Sequence, residues 1–255
     1  MTDPASPPAS PPPASPPPAS PPPASPPPDC PLCPRLVAYR AANHAAHPTW
    51  FNAPVPSTGP LGAPILVVGM APGVKGANRT GRPFTGDHAG ILLYGTLLRF
   101  GLATGHYAPP PEASDPTPRD TLELVHARVT NAVRCVPPKN LPEPAEIRTC
   151  NPFLAGELAV PGIRAVLALG VLSHTAVLRA AGLVPSRTPF KHGTTLPLPG
   201  GALLFDCYHV SRYNTNTGVL TAAMFADVVA AMAHHVGAAQ PAPSTVSNDS
   251  SAAAE

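Results

Sequence analysis

The chain has 255 residues, 41 of them proline, and its 16 Lys and Arg against 14 Asp and Glu leave a net charge of +2. No run of 18 apolar residues is present, and residues 1–29 have neither a basic start nor an apolar core, so neither a membrane span nor a signal peptide is expected. All the basic residues but only 10 of the acidic ones lie between Cys30 and Gly237, so that segment carries +6, a charge that permits nucleic-acid binding without requiring it.

Residues 4–28 repeat Pro-Pro-Pro-Ala-Ser with a period of five and hold 15 prolines and no core residue. With almost no backbone donors, residues 1–29 are expected to be a disordered, polyproline II-like tail. It reads as a spacer or a docking segment for a protein partner, and nothing in it decides which. Residues 30–237 suit one α/β domain, and 238–255, rich in Ala, Ser and Pro, read as a second disordered tail.

Within the domain, Pro64–Gly69 is a short apolar run that reads as a buried strand. Ala89–Phe100 has apolar residues at helical spacing and stops at Gly101. His126–Val133 is a second strand, Pro144–Val160 a helix, Arg164–Leu169 a third strand closed by Gly170, and Leu172–Ala181 a helix closed by Gly182. Ala202–Tyr208 is a fourth strand and Thr217–His235 a final helix. This alternation implies a three-layer α/β/α fold with a central, mainly parallel four-stranded sheet. Ligands of such sheets bind beyond the carboxyl ends of the strands. Two loops leave those ends, Gly69–Asp87 after the first strand and His209–Gly218 after the fourth, and Asn131 lies near the end of the second. The three converge on one crevice. A phosphate-cradling loop is the rival reading of the first, but no G-K-[ST] follows its glycines.

Cys30 and Cys33 form C-x2-C, and Cys135 and Cys150 form C-x14-C a long way downstream. Zinc is one reading, although the wide second spacing fits a ribbon poorly. Thioredoxin-type redox chemistry is disfavoured, because Cys30 follows a proline-rich tail and Pro34 follows Cys33. Four thiolates also hold iron–sulfur clusters, and spacing alone does not choose between zinc and iron–sulfur. Five cysteines with no secretory leader point to thiols and metal in an intracellular, cytoplasmic protein. Cys207, inside an apolar run, reads as an ordinary buried cysteine.

The motif Gly69-Met70-Ala71-Pro72-Gly73 running through Asn78-Arg79-Thr80-Gly81-Arg82-Pro83-Phe84-Thr85-Gly86-Asp87 resembles the first motif of the uracil-DNA glycosylase superfamily, in its iron–sulfur branch. Thr130-Asn131-Ala132-Val133-Arg134-Cys135-Val136-Pro137-Pro138-Lys139-Asn140 is similar to the middle motif of family 5, the type B enzymes. His209-Val210-Ser211 through Asn214-Thr215-Asn216-Thr217-Gly218 is similar to its last motif, departing at Val210, where the family has Pro, and at Val219, where it has Arg. Family 4 enzymes carry Glu where this chain has Met70, so family 5 fits best. The resemblance implies that Cys30, Cys33, Cys135 and Cys150 hold a 4Fe-4S cluster. It also implies base-excision repair on damaged, uracil-containing DNA by a monomer bound to the nucleoid only through DNA.

Each site residue has a bland reading beside the one the resemblance implies. Phe84 stacks on the flipped base or is a core Phe. Asn131 reads the base edge with its donor and acceptor, or ends a strand. Asp87 stabilises charge on the sugar or steers a water, or caps the helix that follows. His209 donates to the departing base, or is structural. Gly69, Met70 and Ala71 wall the base pocket, and the apolar Met70-Ala71 pair implies tolerance of other deaminated bases such as hypoxanthine. Ser211, Arg212, Tyr213 and Asn214 press into the DNA, or form a simple surface loop. A non-catalytic, iron–sulfur-stabilised DNA-binding protein is the alternative, and it would need neither Asp87 nor His209.

Overall fold

The computed structural model describes residues 25–110, 117 and 119–238; the proline repeat up to residue 24 and the tail from 239 lie outside the described residues. In chain order the elements are α1 (Pro34–Ala46), β1 (Ile65–Gly69), α2 (Ala77–Thr80), α3 (His88–Arg99), β2 (Ala103–Thr104), β3 (Glu123–Leu124) and β4 (Ala127–Asn131). They continue with α4 (Pro144–Leu158), β5 (Ala165–Leu169), α5 (Val171–Ala180), β6 (Thr195–Pro197), β7 (Leu203–Cys207), α6 (Arg212–Asn216) and α7 (Ala222–His235).

The main sheet runs β4-β1-β5-β7-β6, with the first four strands mutually parallel and β6 antiparallel at the edge. The four parallel strands are those expected from the apolar runs. Strand β6 is an addition: three residues ending in Pro197, too short to show alternation and tolerable only at an edge. β1 and β5 are apolar throughout because both faces are covered. Ile65, Val67, Leu167 and Leu169 pack with α3 and α7 residues such as Leu93, Leu97, Phe225 and Met232. Leu66, Val68, Val166 and Ala168 pack on the other face with Ile147, Leu154, Val177 and Leu36, from α4, α5 and α1.

Two helices differ from expectation. α1 was not legible, because its buried positions are Leu36, Arg40 and Asn43, at helical spacing but mostly polar. The expected helix Thr217–His235 starts five residues late, as α7 from Ala222, where the Thr221 hydroxyl accepts from the Met224 N–H; a separate short helix, α6, precedes it, and Gly218 at φ +74 lies between the two. No described helix is long and apolar enough to cross a membrane.

Candidate active site

A cavity of about 730 Å³ opens at the carboxyl edge of the sheet. Met70 and Ala71 after β1, Asn131 at the end of β4, Gly170 after β5 and His209 after β7 all line it, together with Phe84 and Asp87. In-register pairing of β1 with β4 sets Gly69 directly beside Asn131. A Cβ on Gly69 would lie 2.4 Å from both Asn131 Oδ1 and Phe84 Cζ, so glycine there is what lets the amide and the ring share the floor.

Phe84 takes φ +53, a backbone that residues with a side chain rarely adopt, and is 7% exposed. Its loop is held on several sides. Arg82 forms a two-pronged ion pair with Asp120 (2.8 and 2.5 Å) and donates through Nε to Thr85 Oγ1 (2.7 Å). The same guanidinium lies 5.7 and 5.8 Å from the ring centroids of Tyr94 and Tyr107. The Tyr94 hydroxyl donates to the Pro83 carbonyl (2.5 Å) and that of Tyr107 to the Phe84 carbonyl (3.4 Å). Gly90 completes the fit, since a Cβ there would sit 1.8 Å from the Phe84 carbonyl oxygen. Burial alone would raise the Asp120 pKa, but the hydrogen bonds and charge of Arg82 outweigh it and hold the carboxyl below its ordinary value.

Asp87 occupies the N-cap position of α3, yet its side chain closes no capping hydrogen bond, and Oδ1 is buried without a partner. Gly76 and Gly73 press against it: a Cβ on either would lie 2.6 or 3.2 Å from Oδ2. Burial raises its pKa, with the Gly90 and Ala89 amides and His88 opposing only in part. The carboxylate is therefore largely desolvated and belongs to the cavity lining, with the first-turn amides of α3 beside it. His209 faces it from β7, its ring 6.3 Å from that of Phe84, and burial lowers its pKa so that the imidazole stays neutral. Its carbonyl accepts from Asn214 Nδ2 (2.8 Å).

A family model for the uracil DNA glycosylase superfamily matches residues 56–233. A type-5 uracil-DNA glycosylase of Thermus thermophilus is 46% identical over 207 residues, 78% of this chain and 90% of that protein. A type-5 uracil-DNA glycosylase of Mycobacterium leprae is 42% identical over 209 residues, 78% of this chain and 88% of that protein. Another of Pyrobaculum aerophilum is 38% identical over 213 residues, 82% of this chain and 90% of that protein. The chain belongs to the type-5 branch of the uracil-DNA glycosylase superfamily. A type-4 relative, from Pyrobaculum aerophilum, is 32% identical over 129 residues and covers half of this chain.

Against that family, the last motif is built as a short projecting turn. Ser211 caps α6 by accepting from the Asn214 N–H (3.3 Å), and Ser211, Arg212 and Asn214 line the cavity mouth. Tyr213 is 73% exposed on the outer side. Asn214, expected to face DNA, directs its amide inward to His209. Val210, in the slot where type-5 sequences have proline, is fully buried in the α3–α7 core. Sequence reasoning missed Gly170 and Leu172, and also Lys75, His88 and Asn140, all lining the same cavity. The signal for the first pair was present: the third strand also ends at a glycine on the same sheet edge. Arg82, Tyr94, Tyr107 and Asp120 carried no signal as a group, because only folding brings them together.

The four cysteines of the C-x2-C and C-x14-C pairs line one small cavity. The Arg35–Glu146 ion pair (2.7 Å) joins α1 to α4 and so brings the first pair to Cys150, while Cys135 follows β4. Arg40 Nη1 donates to Cys135 Sγ (3.2 Å), its Nη2 to the Cys30 carbonyl (3.1 Å), and the Arg134 N–H to Cys150 Sγ (3.4 Å). Burial raises the pKa of Cys33 and Cys135 and pushes Cys150 up to about 11, with the neighbouring thiols adding to it. Such a set wants a cationic group to hold its thiolates. Among the described residues no three His, Cys, Asp or Glu side chains converge closely enough to hold a metal ion as they stand. Cys207 is buried in β7, in the opposite core cluster.

Proposed function

We propose that this chain is a monofunctional DNA glycosylase that hydrolyses the N-glycosidic bond of uracil in DNA and leaves an abasic site. One observation carries the reading: a ring, a buried amide, a desolvated carboxylate and an imidazole kept neutral by burial line one cavity of about 730 Å³, room enough for a flipped nucleotide. The target nucleotide must leave the duplex to reach it, at a cost of a few kcal/mol. Phe84 then stacks on the base, and the Asn131 amide pairs with its donor–acceptor edge. As the bond breaks, positive charge grows on the sugar and negative charge on the base. Asp87 stabilises the first and orients the attacking water. His209 donates a hydrogen bond to the base oxygen as the second develops. Ser211, Arg212 and Tyr213 enter the groove and fill the vacated stack.

The substrate range extends to other deaminated bases, hypoxanthine first, because the Met70-Ala71 wall offers no carboxylate with which to discriminate base edges. Cys30, Cys33, Cys135 and Cys150 would hold a 4Fe-4S cluster; what supports this is that all four line one small cavity, with the Arg40 guanidinium and the Arg134 N–H donating to their sulfurs. Bound there, the cluster would neutralise the crowded thiolates and staple α1 to α4 and to the chain after β4. Iron and acid-labile sulfide in anaerobically purified protein are expected; zinc in their place would overturn this part. The function itself is tested by incubating the protein with uracil-, hypoxanthine- and xanthine-containing duplexes and scoring abasic sites. A protein that binds these duplexes and cuts none would be a DNA-binding module instead.

A further inference from the structure

The edge strand β6 reaches further toward the active site than its three residues suggest. Its pairing with β7 continues through Asp206, whose N–H donates to the Thr194 carbonyl (3.0 Å) and whose carbonyl accepts from the Gly193 N–H (2.8 Å). Two residues thus face one, which is a β-bulge, and Gly193 at φ +74 supplies the left-handed turn it needs. Beyond the bulge the ladder has no rung left to give. The Lys191 carbonyl is turned back to the Thr194 N–H (3.2 Å) and hydroxyl (2.7 Å). The next strand N–H, that of Tyr208, donates to a side chain instead, His192 Nδ1 (3.2 Å). The His192 ring also lies flat on the Tyr208 ring, with centroids 4.6 Å apart and planes at 8°. Burial lowers the His192 pKa and so favours the neutral ring, and the Tyr208 N–H selects the tautomer in which Nδ1 is the acceptor.

The peptide N–H so captured belongs to the residue just before His209. On the far side, the His209 carbonyl is held by Asn214 Nδ2 (2.8 Å), and a Cβ on Gly170 would stand 3.4 Å from His209 Cβ. We propose that His192 is a positioning residue: its Nδ1 extends the sheet by one rung and, with Asn214, fixes the backbone on both sides of the active-site imidazole. The loop carrying it is itself anchored from below. His174 bridges the Asp206 carboxylate (Nδ1–Oδ1 2.8 Å) and the Thr188 carbonyl (Nε2–O 2.9 Å), tying the segment before β6 to α5 and β7. A donor that stabilises a developing charge works only within a narrow range of position, so loss of the rung shows in the chemical step and not in DNA affinity.

This inference rests on the glycosylase reading above, and two opposed substitutions test it. His192→Phe keeps an aromatic ring for the Tyr208 stack but removes the acceptor. His192→Asn loses the ring but places an amide oxygen about where Nδ1 stood. Single-turnover cleavage of a uracil duplex should be about three- to tenfold slower in the Phe variant, the worth of one hydrogen bond. The Asn variant should stay within about twofold of wild type by the same measure. Binding of an uncleavable duplex should change in neither. Exchange of the Tyr208 amide with deuterated solvent gives a readout free of the enzymatic reading: protection is kept in the Asn variant and lost in the Phe variant. Equal rates in both variants, or a fast Phe variant beside a slow Asn one, would overturn the proposal in favour of simple packing. If wild type cleaves nothing yet the exchange pattern holds, the glycosylase reading has failed and the rung stands.

Discussion

Two loops face the same cavity and are built on opposite principles. The Arg79–Asp87 loop is over-determined: an ion pair, two tyrosine hydroxyls, a cation beside a pair of touching rings and a tight glycine fix a strained Phe84 in place. The 209–216 turn is rooted by the buried Val210, but beyond that root it is held by few ties: the Ser211 cap, the Asn214 amide, the Leu220 N–H on the Asn214 carbonyl (3.0 Å) and Thr215 Oγ1 with His88 Nε2 (3.1 Å). Its most prominent side chain, Tyr213, touches little. The difference matches the two jobs proposed for these loops, reading a base and wedging into the duplex. A pocket that reads a base gains from being formed in advance, because no ordering cost is then spent at binding. A wedge can be set in final form only by the duplex it enters.

The comparison can be broken or sharpened by substitution. The largest effect is expected from Asp120→Ala, which leaves Arg82 half-buried and uncompensated: about 4 kcal/mol of stability by the general cost of orphaning a buried charge, read as a lower denaturation midpoint. A variant as stable as wild type would show that the first loop is not clamped as described. Asp87→Ala and His209→Ala come next, each slowing single-turnover cleavage by about a hundredfold, or roughly 3 kcal/mol, while binding to an uncleavable duplex is kept. Wild-type cleavage in Asp87→Ala would make that residue a helix start and nothing more. Tyr213→Ala should act only on DNA, weakening duplex binding by roughly 1–2 kcal/mol, the worth of a stacking contact, with an unchanged melting temperature.

A smaller effect separates stability from activity at Asp87. Its pKa is raised in the folded chain, so the native state binds more protons than the unfolded one at pH values between the ordinary 3.8 and the raised value, and wild-type stability falls as pH rises through that window. Asp87→Asn should therefore melt higher than wild type at neutral pH while being catalytically impaired. The gap should close on acidification and vanish below about pH 3.8. The smallest effect belongs to removal of residues 1–24, which carry no Lys or Arg to touch phosphates; activity on short duplexes should stay within about twofold. The cut must not go further, because the Pro27 carbonyl accepts from the Cys30 N–H (3.0 Å) and Pro26 lines the cysteine cavity.

Much of this molecule was legible in the chain alone. Apolar runs such as Ile65-Leu66-Val67-Val68 are buried on both faces and cannot be anything but inner strands, so the parallel sheet and its carboxyl-edge crevice followed. Phe84, Asn131, Asp87 and His209 were legible because they sit in short motifs at strand ends, where local spacing already fixes their company. What sequence could not show is whatever depends on partners distant in the chain. α1 hid because its buried face holds Arg40 and Asn43, and a polar face is buried only when partners such as Cys135 arrive from elsewhere. Sequence offered the N-cap and the catalytic reading of Asp87 side by side, and only the fold shows the glycines of the first loop closing around its carboxylate. Likewise His192 is an unremarked residue before a glycine in the chain. It reaches the Tyr208 N–H, next to the cavity-lining His209, only because a bulge at the sheet edge takes the ordinary carbonyl away. Local pattern determined the elements and the reactive groups; long-range packing decided which of those groups are desolvated, strained or held still, since burial and geometry are properties of the whole fold.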